Sequence, residues 1–232
     1  MDQSLKPLDV VYGSAVGIER QRVVLRNTYA LLALSMVPTV LGAWLGVAFN
    51  FSFLAGNPAI GFVAFMAIAF AFFFGIEKFK NSGVGVMLLL GFTFFMGLML
   101  SRLIGAVLGF SNGVQLISLA FGGTGLVFVG MATLASTMKR DVSTMGKWLM
   151  MGVVVLLVAG FANIWLQLPA LMLTVSVLAV LIFSAFILYD LKRVIDGGET
   201  NYITATLAIY LDVYNVFQSL LSILGVVGGE RD

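Results

Sequence analysis

Runs of about twenty apolar residues recur along the chain, each closed by a short polar or Gly/Pro interruption, and this recurrence limits the fold more than any other feature. The hydrocarbon core of a bilayer is about 30 Å thick and takes about 20 helical residues to cross. Apolar runs near 27–49, 58–76, 83–104, 114–137, 146–165, 168–193 and 201–225 therefore predict seven transmembrane helices. Only Gln167-Leu168-Pro169 separates the fifth span from the sixth. The apolar run from 149 to 188 is nevertheless too long for one crossing, so a tight turn is predicted there. With 60% hydrophobic and only 10% charged residues the chain is far more apolar than a soluble domain, in which about 25% of residues are charged. The expected architecture is an all-α integral membrane bundle over 27–225, with an N-terminal tail at 1–26 and a short C-terminal tail at 226–232.

The basic residues predict an orientation, because cytoplasmic loops carry the excess of Lys and Arg. Alternate segments separate cleanly. Lys6, Arg20, Arg22, Arg26, Lys78, Lys80, Lys139, Arg140, Lys147, Lys192 and Arg193 fall on one side, and only Arg102 and Arg231 fall on the other. The expectation is N-terminus cytoplasmic and C-terminus outside. The first 28 residues include Asp2, Lys6, Asp9, Glu19 and three arginines, so they lack the apolar stretch of a cleavable signal peptide. Trp44, Trp148 and Trp165 all lie near predicted helix ends, where amphipathic rings favour the interface. Gly42-x-x-x-Gly46 and Gly105-x-x-x-Gly109, with Gly122, Gly123 and Gly125, have the spacing of small-residue faces on which helices pack closely within one bundle.

The sequence has no cysteine and no histidine, which excludes thiolate chemistry, imidazole bases and the usual zinc sites. The basic residues are dispersed over separate loops, so nucleic acid is not an expected partner and the lipid bilayer is. Every Lys and Arg can reach an interface, but two carboxylates cannot. Asp212 lies about ten residues into the last span, roughly 15 Å from its start, and Asp190 lies near the cytoplasmic end of the sixth. A carboxylate at mid-membrane costs about 2.5–3.5 kcal/mol on insertion scales, so such groups face the protein interior and mark a pathway or relay. In the plainer alternative, Asp212 joins a hydrogen-bond network with Tyr210, Tyr214 or Asn215, and Asp190 pairs with Arg193 or Lys192. In the sharper one the two aspartates meet and share a proton, forming a pH sensor and a hard-cation path. Straight helices counted outward from the connecting loop place Asp212 about 10 Å deeper than Asp190, so direct pairing requires tilt or an early end to the sixth helix. Thr204, Thr206, Asn215 and Ser219 on the last span are candidate polar groups along such a path, although they do not share one face.

Ile187-Leu188-Tyr189-Asp190 and Ile209-Tyr210-Leu211-Asp212-Val213-Tyr214-Asn215 resemble the paired-aspartate signature of the Bax inhibitor-1, or transmembrane Bax inhibitor motif, family. Val24-Leu25-Arg26-Asn27-Thr28-Tyr29 and Gly197-Gly198-Glu199-Thr200-Asn201-Tyr202 are similar to its bacterial YccA-like branch. The resemblance implies seven helices with the last one central, and a pH-sensitive calcium leak in which Asp190 and Asp212 hydrogen-bond when closed and separate when deprotonated. It implies no cofactor, with calcium only as the transported ion, and residence in a bacterial inner membrane. The YccA-like branch is also associated with modulating the membrane-anchored AAA protease FtsH, which makes a regulator acting through the N-terminal tail the alternative function.

Enzymatic readings fare worse. An intramembrane aspartyl protease pairs Tyr-Asp with a Gly-x-Gly-Asp run, but Ile209-Tyr210-Leu211 precedes Asp212 here. A rhomboid mechanism lacks its histidine, and no lysine lies in the last span to hold retinal.

Overall fold

The computed structural model describes residues 6–51 and 58–230, and every regular element in them is an α-helix. In chain order these are α1 (Lys6–Ala48), α2 (Pro58–Phe79), α3 (Gly83–Leu108), α4 (Gly113–Thr137), α5 (Met145–Leu166), α6 (Pro169–Ile195) and α7 (Tyr202–Gly228). All seven are long and apolar enough to cross a membrane, the apolar part of α1 running from Glu19 to Ala48. Six of them match the predicted spans to within a few residues. α1 instead extends well before residue 27, because hydropathy marks where a helix leaves the bilayer and not where it ends. Pro7 sits in its first turn, where a missing N–H costs nothing, and Glu19, Arg20, Gln21 and Arg22 are good helix formers. Residues 1–5 of the predicted tail and Arg231 lie outside the described residues.

Hydrogen bonds tie the loops together at each end of the bundle. At one end Asn201 Nδ2 donates to the Lys80 carbonyl and to Asn81 Oδ1, both at 2.9 Å, joining the α6–α7 loop to the α2–α3 loop. Gln21 of α1 lies against Gly197 in the same region, where φ is +78° and a Cβ would strike the Gln21 amide. This is the end that carries most of the basic residues. At the opposite end Asn112 Nδ2 donates to the Gly228 carbonyl at 2.7 Å and the Glu230 amide donates back to Asn112 Oδ1 at 3.2 Å, which clasps the C-terminal end of α7 to the α3–α4 turn.

α7 is central, packed against α1, α2, α3, α4 and α6. Ile203, Ile209, Val216 and Leu221 are completely enclosed along it. α1 and α3 share the most intimate seam. A Cβ on Gly42 would collide with the Phe94 carbonyl oxygen, one on Gly97 with the Thr39 carbonyl oxygen, and one on Gly46 with Ser101, so the backbones approach as the small-residue spacing predicts. Gly105 has open space around it and Gly109 meets only its own turn, so that second motif makes no seam. Gly122 and Gly125 are likewise open, and only Gly123 touches a neighbour, the Leu220 side chain. Pro38 removes one bond from the α1 ladder, and hydroxyls serve the backbone around it. Ser35 Oγ donates to the Leu31 carbonyl and Thr39 Oγ1 to the Ser35 carbonyl, each at 2.8 Å. α5 is peripheral: it packs chiefly along α6, and Leu156 is its one buried residue.

Candidate functional site

The last turns of α6 and the first half of α7 build the site. Asn201 caps α7 by accepting from the Ile203 amide at 2.9 Å and the Thr204 amide at 3.3 Å while its amide group holds the α2–α3 loop, so the axial position of α7 is fixed at its start. Asp212 then stands ten residues into that helix, about 15 Å along its axis, whereas Asp190 stands five residues before the end of α6. Their carboxyl groups are nevertheless close enough to interact with each other. α6 runs to Ile195, past the predicted end of its span, which lowers the depth mismatch expected from straight helices to about 7 Å.

Asp190 is 9% exposed and Asp212 5%. The two differ in their surroundings. The guanidinium of Arg193 lies 3.7 Å from Asp190 Oδ1, is 3.6 Å from Glu199 Oε2, and sits over the Tyr189 ring with 5.8 Å to its centroid. Lys192, the other expected partner, turns to Asp196 Oδ1 at 2.8 Å. Among the described residues no Lys or Arg forms an ion pair with Asp212, and its Oδ2 makes no hydrogen bond. Tyr210 and Tyr214 do not serve it. The Tyr210 hydroxyl shares a hydrogen bond with Thr39 Oγ1 at 2.9 Å, and Tyr214 donates to the Met96 carbonyl at 3.2 Å. Asn215 donates to the Leu211 carbonyl of its own helix at 2.7 Å. The structural network foreseen around Asp212 is therefore directed at α1 and α3, and the aspartate is left facing Asp190.

The other polar candidates on α7 divide between two tasks. Thr206 Oγ1 donates to the Tyr202 carbonyl at 2.6 Å and also reaches the Thr28 carbonyl of α1, and Thr204 Oγ1 donates to the Asn201 carbonyl at 3.2 Å. Asn215 and Ser219 line a cavity of about 490 Å³ farther along α7, which neither aspartate lines. The sequence reading passed over Arg193's link to Glu199 and the cavity residue Gln218. The first is a tertiary contact across a loop with no local sequence signal. The second was legible, since Asn215, Gln218, Ser219 and Ser222 recur at three- and four-residue spacing on one helical stripe. Among the described residues no cluster of three or more acidic groups forms.

A seven-helix membrane bundle whose central helix presents a buried carboxylate to a second one on the neighbouring helix is the class that fold and site define. The chain belongs to the Bax inhibitor-1 family: the family profile described as inhibitor of apoptosis-promoting Bax1 matches residues 21–229. It is 38% identical over 226 residues to an uncharacterized protein of Neisseria meningitidis serogroup A, covering 95% of this chain and 98% of that one. It is 39% identical over 202 residues to the Modulator of FtsH protease YccA of Escherichia coli K12, covering 87% of this chain and 89% of the relative. An uncharacterized membrane protein of Vibrio cholerae is 37% identical over 207 residues.

Proposed function

We propose that this chain is a non-enzymatic regulator of a bacterial inner membrane that binds and modulates the membrane-anchored AAA protease FtsH. The observation that carries this reading is the 39% identity spanning 89% of a relative named for that activity, a relative also named an inner membrane protein in a second Escherichia coli strain. The geometry supplies a handle. α1 continues from Glu19 back to Lys6, about 20 Å of helix beyond its apolar segment, at the end of the bundle where the positive-inside rule puts the cytoplasm. The test is co-purification of FtsH with the tagged chain, together with turnover of an FtsH substrate. Full-length protein is expected to retain the protease and to slow or redirect turnover several-fold, and deletion of residues 1–18 to abolish both without unfolding the bundle. Unchanged turnover with or without the chain overturns the reading.

The paired aspartates favour a second reading, a pH-sensitive calcium leak. Two carboxylates share a buried site with one oxygen unpartnered, and among the described residues no group of three or more acidic side chains is placed to hold a metal ion, which suits a hard cation in passage better than one held by six to eight oxygens. Calcium flux into liposomes, scanned from about pH 6 to about 8, is expected to depend on pH and to lose that dependence in Asp190→Asn and Asp212→Asn. Absence of calcium flux at every pH eliminates it.

A further inference from the structure

The cavity beside the C-terminal half of α7 includes Asn215 and Ser219, but neither aspartate lines it. Its α7 wall presents Asn215, Gln218, Ser219 and Ser222, Ser176 faces them from α6, and Asn163 closes one end of α5. The rest of the lining is largely apolar, with Leu103, Val153, Leu156 and Phe183 among its residues. Most of this polar wall has spare hydrogen-bonding capacity. Ser176 Oγ donates to the Met172 carbonyl at 2.9 Å and reaches Ser222 Oγ at 3.4 Å, and Asn163 Oδ1 accepts from the Leu168 amide. Gln218 and Ser219 make no hydrogen bond to any described residue, although they stand about ten residues from the end of a membrane-spanning helix. A carboxamide at that depth is costly unless something satisfies it.

No ionisable side chain lines the cavity, so nothing there selects a charged ligand. Its volume falls within the roughly 300–1,000 Å³ typical of small-molecule sites. The apolar lining opposes filling it with water alone. Access is lateral: α5 is held mainly to α6, and its ring contact with α2 (Phe62 to Phe161, centroids 5.0 Å apart) lies at one end. Between α3 and α5 no packed seam closes the slot.

We infer that this cavity binds an uncharged membrane amphipath, a lipid-derived molecule with a hydroxyl- or ester-bearing head that pairs with Gln218 and Ser219 and an acyl body that lies against α5. Neither Asp190 nor Asp212 lines the site.

A photoreactive 1-acylglycerol tests it, applied to the full chain in phosphatidylcholine nanodiscs, with the matching photoreactive fatty acid as the charged-head comparison. Labelling is expected on the segments of α5, α6 and α7 that line the cavity, with competition by unlabelled 1-acylglycerol. Gln218→Leu is expected to cut it tenfold or more. Gly160→Phe provides a second variant that leaves every polar group in place: Gly160 lines the cavity and a Cβ there meets nothing within 4 Å, so the ring fills the space without a backbone clash. It is expected to cut labelling as strongly while thermal unfolding in the absence of probe stays unchanged. Labelling spread evenly over the lipid-facing sides of α2 and α4, labelling that survives Gly160→Phe, or equal labelling by the fatty acid each overturns the assignment.

Discussion

The α1–α3 seam and the α5 flank are made of similar residues, yet they are held in very different ways. Along the seam, Gly42, Gly46 and Gly97 bring two backbones together until no side-chain carbon fits between them, and Tyr210 bonds across to Thr39. α5 presents Trp148, Val155, Val158 and Trp165 outward and rests on α6 where Tyr189 covers Gly146 and Ile182 covers Gly152. Lipid tails are as apolar as leucine, so burying α5's hydrophobic surface against protein gains little over leaving it in the bilayer. Close backbone approach and buried hydrogen bonds decide where such a bundle is tight. The contrast teaches that hydrophobicity places helices in the membrane, while glycines and hydroxyls choose their neighbours.

Substitutions at equivalent glycines give the widest test of that contrast. Gly97→Leu is expected to cost about 3 kcal/mol or more, seen as loss of cooperative thermal unfolding in detergent, because the clash is with the Thr39 backbone, which cannot rotate away. Asn201→Ala removes a helix cap and both bonds to the α2–α3 loop, and an expected loss of about 1–2 kcal/mol checks whether the loops matter as much as the seam. Tyr210→Phe leaves the ring in place and deletes its bonds to Thr39 and to the Thr93 carbonyl, for about 1 kcal/mol. On the α5 flank, Gly160→Ala is expected to be neutral or to gain about 0.5 kcal/mol, since the added methyl meets nothing. A loss there matching that of Gly97→Leu would erase the distinction. The smallest effect belongs to the turn before α5, where the Ser143 amide and hydroxyl donate to Asp141 at 2.8 and 2.9 Å and hold its carboxyl below the usual carboxylate range. A depressed value means that the turn gains from the ionised form at neutral pH and loses that gain as acid protonates it. Amide exchange in this turn should therefore quicken only below about pH 4, after correction for intrinsic rates.

Helix number and position were legible because a twenty-residue apolar run has one structural outcome in a bilayer. The length of α1 was not, since charged residues end a membrane span without ending a helix. Spacing alone could not separate Gly42-x-x-x-Gly46, which makes a seam, from Gly105-x-x-x-Gly109, which does not: the motif offers a flat face, and the partner's position decides its use. Asp190 and Asp212 stood out as carboxylates too deep to be incidental, but their meeting depends on the relative level of α6 and α7. The start of α7 is anchored by Asn201 reaching Lys80 and Asn81, more than a hundred residues away in sequence. The cavity was half visible, as a polar stripe on α7 with no visible reason for the rest of the lining.

The helix at the centre of the bundle also follows in the chain every helix it packs against. Six helices must enter the membrane and await the seventh, with Asp190, Thr28 and Thr39 facing a space that α7 later fills. Completion of the bundle is thus postponed until α7 has been made, and until then Asp190 lacks the neighbour it meets in the finished fold. A chain that stops before residue 201 would present the lipid with an open polar furrow, a mark by which membrane quality control can distinguish unfinished copies from complete ones.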